Sequence, residues 1–516
     1  MKRLYLIAGL IFLASSIKAV TFSDFYVQTA GNNLNAGSTT DDAAIYTGAS
    51  GNWTNDTSVS VGTWFKSGED LSGVSAGMWA SVYPDAALTN GFVALITAVS
   101  DGDDTITLSL TAKGGTKPDT VVAGATIKVG GAWKGPNKDA AYVAGDAARW
   151  QFPFNFVAAS MTNVGGFVPF VNFRNDAIYS FTNALTHANP GPIWFGGYSV
   201  IPRDGGKAIF DATNALTGIV LLTVNAASLC FQDLIFQNNG PSGTSDGVSA
   251  GGAENFWNRC VARNIRGRGF YSSYISASSL SVFNECEVYN YSIGSQASPG
   301  FHDNNTSILY NNCIAHHVNT VGGTPTSSGF YIGAVSYAFN CISVSNGVGF
   351  TFTGTTINNV VGCDAWGNVL SGFNFSGSGA VQLFLKNCNS FKNGGMGVQS
   401  SGGSLRNGMI ANCAFGSGTQ TNALGNIDPV LSAGALSGVL EVGTITYPAD
   451  ETPWVDPTVG NFSPLTGAAG RAAGLGSFVQ WGTNGPTISR PDIGAAQAAS
   501  TNAVSSGGEH SHVFAQ

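Results

Sequence analysis

The chain has 516 residues, of which 10% are charged and 69 are glycine, with a formal net charge of −8. So few charges exclude a solvated disordered chain and an ordinary helical bundle, and the negative balance gives no attraction to a phosphate backbone, so no nucleic-acid partner is expected. Abundant glycine suits a β-rich solenoid whose turns need left-handed backbone.

Taken in chain order, Lys2 and Arg3, an apolar run from Leu4 to Ala14 and a short polar stretch ending at Ala19 have the three-part layout of a secretion signal. Residues 1–19 are therefore expected to be removed. The apolar run is shorter than the about 20 residues a membrane helix needs, and no comparable run recurs downstream. The mature protein is expected to be secreted or at the cell surface, without a membrane span. Residues 20–50 read as an N-terminal strand and cap. Residues 51–135 read as a small inserted β module, in which GFVALITAVSDGDDTITLSLTA (91–112) forms a hairpin turning at Asp101-Gly102-Asp103 and GATIKVGGAW (124–133) adds a strand. Residues 136–497 read as a β-helix with its closing segment, and residues 498–516, rich in Ser, Gly and His, as a disordered tail.

The β-helix reading rests on a repeat. Leu234, Cys260, Cys286, Cys313, Cys341, Cys363, Cys388 and Cys413 recur at intervals of 22 to 28 residues in segments such as WNRCVARN, FNECEVYN and YNNCIAHH. A near-constant period with a variable remainder is the mark of stacked coils carrying loop insertions. Each coil also has a glycine followed by an apolar residue: Gly247-Val248, Gly269-Phe270, Gly300-Phe301, Gly329-Phe330, Gly349-Phe350, Gly372-Phe373 and Gly397-Val398. Alternation along the strand turns each cysteine inward and the residue two further on inward again. That place holds Phe236, Ala262, Val288, Ala315, Ser343, Ala365 and Ser390, mostly small, as a narrow shared interior requires. Asparagines follow at the turn: Asn238, Asn264, Asn290, Asn346, Asn368 and Asn393. Extra residues at 240–247, 291–299 and 319–328 are expected to bulge outward.

Eight cysteines in an exported chain suggest disulfides, but parallel side chains on neighbouring coils stand about 4.8 Å apart, beyond the Cβ separation of about 3.8 Å that a bridge prefers. Stacked free thiols are expected. Neither a CxxC pair nor a Cys/His group at ligand spacing occurs, so no metal site is expected.

These coils and both ends of the chain resemble the pectate-lyase-like right-handed parallel β-helix superfamily. FYVQTAGNNLNAGS (25–38) is similar to its opening strand and turn, VNFRNDAIYSF (171–181) and IWFGGYSVIPRDGGKAIFD (193–211) to its first coils, and GNFSPLTGAAGRAAG (460–474) with RPDIGAAQ (490–497) to its closing stretch. The resemblance implies an all-β, single-stranded right-handed solenoid. It does not imply one activity, because the superfamily holds lyases, hydrolases, epimerases, adhesins and phage tailspikes.

Lyases of this kind hold Ca²⁺ between clustered carboxylates and use a Lys or Arg base; hydrolases present Asp residues on adjacent coils. Neither set can be placed here residue by residue, so no cofactor is expected, and Ca²⁺ enters only with a lyase activity. Arg268, Glu285, Glu287, His302 and Asp303, from neighbouring coils, are the local catalytic candidates. More suggestive is an outward column three residues after each first rung, including Tyr289, His316, Trp366 and Phe391, with a second column at Tyr271, His302 and Tyr331. Outward rings on a rigid ladder can stack on sugars. The expectation is an exported β-helix that binds a polysaccharide or cell-surface glycan. The alternatives are a polysaccharide lyase or glycoside hydrolase, and a tailspike-like virion component. Covering of these columns by loops, or by side-by-side association into a homo-oligomer, stays open.

Overall fold

A computed structural model describes most of residues 22–134 and 168–416, together with the short strands Leu440–Val442, Ile445–Tyr447, Trp454–Asp456 and Asn461–Pro464. The signal-like residues 1–19, the tail 498–516 and RPDIGAAQ lie outside the described residues, as do most of the loop insertions. Every described element is a strand. The chain divides into two compact units, one made of residues 1–177 and 189–208, the other of 178–188 and 209–516.

In the first unit, six antiparallel strands from Tyr46–Asp56 to Val122–Val129 close into a barrel. Phe92–Ser100 and Thr105–Gly115 form its hairpin. Trp53 and Trp64 fill the interior and are fully buried. The neighbouring strands carry Gly62 against the Trp53 ring and Gly48 and Gly51 against Trp64, where an added Cβ would overlap ring atoms. Beside the barrel, Phe22–Gln28 pairs in parallel with Val168–Arg174, which pairs in turn with Ile193–Tyr198.

The second unit is a right-handed parallel β-helix with eleven strands in one of its sheets and nine in another. Each coil contributes one strand to each of three sheets. In the coil around Cys260 these are Phe256–Asn258 on the first face, Val261–Arg263 on the second and Phe270–Ser272 on the third. Pairing is in register, so Phe256, Val261 and Phe270 lie beside Val282, Glu287 and Phe301 of the next coil.

The repeated cysteines stand at the corner between the first and second faces, one residue before the strand. The residue ahead of Leu234 and of each cysteine from Cys260 to Cys388 is left-handed: Asp233, Arg259, Glu285, Asn312, Asn340, Gly362 and Asn387 all have φ between 52° and 64°. That bend turns the thiols into the interior. All eight cysteines are free and buried. Cys260, Cys286 and Cys313 each donate to a first-face carbonyl of the preceding coil, at Phe231, Trp257 and Phe283, over 3.3–3.5 Å. Burial raises the pKa of these three thiols well above the ordinary value, which keeps them protonated and unreactive.

The second rung is equally regular. Phe270, Phe301, Phe330, Phe350 and Phe373 stack with centroid separations of 4.8–5.5 Å and interplanar angles of 14° or less. Such ring pairs are worth about 0.5–1.5 kcal/mol each beyond their buried area. The glycine before each phenylalanine is needed because a Cβ there would strike the next coil: at Gly300 it would lie 2.8 Å from the Gly329 carbonyl oxygen and 3.1 Å from the Tyr291 ring.

The asparagines form separate columns. Asn238, Asn264 and Asn290 occupy a left-handed turn position (φ 50–58°); Asn264 and Asn290 each donate to the preceding Asn side-chain carbonyl, at 3.0 and 2.5 Å, and Asn238 donates to the Asp211 carboxylate at 2.9 Å. In later coils Ser345, Gly367 and Lys392 take that left-handed place. Asn346, Asn368 and Asn393 sit one residue further on and are buried. Their backbone N–H groups and side chains form an internal ladder, Asn346 N to Asn368 Oδ1 and Asn368 N to Asn393 Oδ1, both 3.0 Å. Tyr291 from an earlier coil donates its hydroxyl to Asn346 Oδ1 over 2.7 Å and closes the ladder's end.

Two measurements check this account. In native buffer the eight thiols are expected to resist a polar alkylating reagent and to react completely in guanidinium. An intact mass below the fully reduced value would reveal bridges and contradict the stacked column. Gly300→Ala is expected to lower stability by about 1–3 kcal/mol through overpacking in thermal unfolding, whereas Gly102→Ala, with open space around it, should change little; equal losses would contradict the close-approach argument.

Candidate functional site

On the third face, the middle residue of each short strand points outward while its neighbours are buried. Register therefore places Tyr271 beside His302 and His302 beside Tyr331. All three are partly exposed. The Tyr271 and His302 rings are 5.1 Å apart, and His302 meets Tyr331 edge-on at 4.6 Å.

Arg268 anchors one end of this column. Asp246, one coil earlier, accepts from Arg268 Nε at 2.8 Å and Nη2 at 2.6 Å, and from the Arg268 backbone N–H at 3.0 Å. A carboxylate gripped in this bidentate manner fixes the guanidinium plane. The guanidinium carbon then lies 3.4 Å from the Tyr271 ring centroid, a close cation–π contact. Nη1 reaches His302 Nδ1 at 3.1 Å. Because arginine has only donors, Nδ1 is the acceptor and the imidazole proton sits on Nε2. Burial, followed by the nearby Arg268 charge, pushes the His302 pKa down to about 4, so the ring is neutral at physiological pH. Asn304 completes the group by donating to the Tyr271 hydroxyl at 3.2 Å.

The expected catalytic candidates are distributed over several places. Arg268 and His302 meet. Asp303 turns inward, is fully buried and accepts from Ser336 Oγ at 2.5 Å. Glu285 occupies a left-handed corner between the first two faces. Glu287 lies on the second face, 2.7 Å from His316 Nε2.

The second-face column has its own connectivity. Asp211 accepts from Gln237 (2.7 Å), Gln237 from Arg263 (2.6 Å), and Arg263 donates to the Tyr289 hydroxyl (2.8 Å). Tyr289 stacks on His316 at 5.2 Å. Within this column Tyr289 and Trp366 are partly exposed, whereas His316 is 5% and Phe391 0% exposed. Only part of it is open. Among the described residues no group of three or more His, Cys, Asp or Glu could hold a metal ion, and no helix is long and apolar enough to cross a membrane.

Asp246 is the participant that motif reading overlooked. Its signal is positional: Asp246-Gly247 and Arg268-Gly269 occupy the same place on successive coils, so stacking brings opposite charges together.

No family model matches the chain, and no curated protein matches it. Among solved structures it is similar to pectate lyase Pel9A (14% identity, TM-score 0.44, covering 70% of this chain and 95% of that one). It is also similar to the A-module of mannuronan C-5 epimerase AlgE4 from Azotobacter vinelandii (13%, 0.41, 60% and 85%). A third is the catalytic domain of a GH87 α-1,3-glucanase (9%, 0.26, 78% and 91%). These are likenesses of chain path, and no functional residue is carried over from them. The class defined by the strand pairings is a parallel β-helix protein with a β-barrel module near its N-terminus.

The His302 resonance is expected to stay unshifted in an NMR titration from pH 8 to 5 and to move with a midpoint near pH 4. Arg268→Ala removes the like charge and should raise that midpoint. A wild-type midpoint near 6.5 would contradict the buried, arginine-bonded imidazole.

Proposed function

We propose that this is an exported β-helix protein that binds a glycan along its third face. The observation that carries the reading is the partly exposed Tyr271–His302–Tyr331 column. Its rings stand 4.6–5.1 Å apart because the strands beneath them are paired in register, and this step is close to the length of one sugar in an extended chain. The apolar faces of successive sugars can lie along it with little loss of side-chain freedom, since Arg268 and Asn304 already hold Tyr271 and His302 in place. Partly exposed Tyr289 and Trp366 offer further ring surface on the second face. Export is supported by the signal-like layout of residues 1–19. No catalytic centre is assigned.

A glycan array followed by affinity electrophoresis with the full chain tests the reading. Tyr331→Ala and Tyr271→Ala are each expected to weaken binding about tenfold, corresponding to the 1–2 kcal/mol of a lost stacking contact, with unfolding temperature nearly unchanged. Binding undiminished in both variants would remove the third face from the proposal. Shortened or unsaturated products after incubation would replace a binding role with an enzymatic one.

A further inference from the structure

We infer that the glycan taken by the third face is uncharged; this rests on the glycan reading above. Recognition of a polyuronate requires free cationic side chains, or a divalent cation held by clustered carboxylates, along the line of sugars. From Gly269 to Leu385 the chain contains no Lys or Arg at all. That span includes the coils bearing His302 and Tyr331 and every loop that joins them.

Among the described residues Arg268 is the basic residue in contact with the column, and its charge is already committed. Asp246 holds it in a bidentate pair at 2.6 and 2.8 Å, while its face lies on Tyr271 and its remaining edge on His302. The pair is neutral as a unit. His302 adds no charge, because its Nδ1 accepts from the guanidinium and a proton there would put two cations in contact.

Acidic groups in the same span point elsewhere. Asp303 and Asp364 are fully buried, the latter accepting from Asn389 at 2.8 Å. Glu285 sits at a corner and Glu287 is joined to His316 on another face. Around the column the accessible polar groups are amides and phenol hydroxyls instead: exposed Asn304, which donates to the Tyr271 hydroxyl, partly exposed Tyr271 and Tyr331, and partly exposed Asn374, next in register after the buried Thr351. Rings flanked by hydroxyl and amide groups, with no free cation, match the hydroxyl-rich surface of a neutral polysaccharide.

The experiment is affinity electrophoresis of the full chain at pH 7 in gels containing soluble β-glucan, xylan, galactomannan or dextran, and in parallel gels containing polygalacturonate or alginate, with and without Ca²⁺. Retardation by at least one neutral polymer and by neither polyuronate is expected. The retardation should change less than about twofold between 50 and 500 mM salt, since no phosphate-like or carboxylate charge is being screened. Asp246→Asn frees the guanidinium and should introduce polyuronate retardation that disappears at high salt. Retention by polyuronates with none by neutral polymers, or equal retention by both, would overturn the inference and leave the glycan reading standing. No retention by any polymer would overturn both.

Discussion

In-register stacking is the constraint on which this molecule depends. Each coil lies directly on a copy of itself, so every side chain meets its counterpart from the next turn, and a residue is acceptable only if it tolerates its own kind at strand spacing. Thiols satisfy this by being small and by donating to carbonyls of the coil before them. Phenylalanines satisfy it by stacking with nearly parallel planes, and asparagines by passing hydrogen bonds along the axis. Glycine is required where a carbonyl of the next coil comes too close for any Cβ.

The same rule shapes the outward faces. A charge set above a like charge would be costly, and the solenoid instead places Arg259 on Asp233, with contacts of 2.6 and 2.7 Å, and Arg268 on Asp246. Opposite charges on successive coils cancel locally and fix the long arginine side chains. At the third face this cancellation leaves a rigid aromatic strip without net charge; the candidate site is thus a by-product of how the ladder settles its own electrostatics.

Much of the architecture was legible from residue types at fixed spacing. The cysteine rung, the glycine–aromatic rung and the small residues at Ala262, Ala315 and Ala365 each repeat closely enough to be aligned by eye, and all are buried as alternation requires. The asparagines were less legible. Asn290 and Asn346 look equivalent in the sequence, yet one occupies a left-handed turn and the other lies one residue beyond it, inside; a shift of a single residue disappears among coils of unequal length. The openness of the outward columns was not legible either. Phe391 and Trp366 share a register position but differ in exposure, a difference that residue type and spacing do not encode. The Asp246–Arg268 pair was readable in principle from its shared place before a glycine.

The buried thiol column also bears on biogenesis. If the chain is exported as proposed, its cysteines, 22 to 30 residues apart, are open to many wrong pairings before it folds, since thiol–disulfide exchange acts on whichever thiolates are exposed. Winding one coil removes its thiol from solvent, and each added coil protects the next. Completion of the solenoid thus takes every one of these thiols out of reach of exchange.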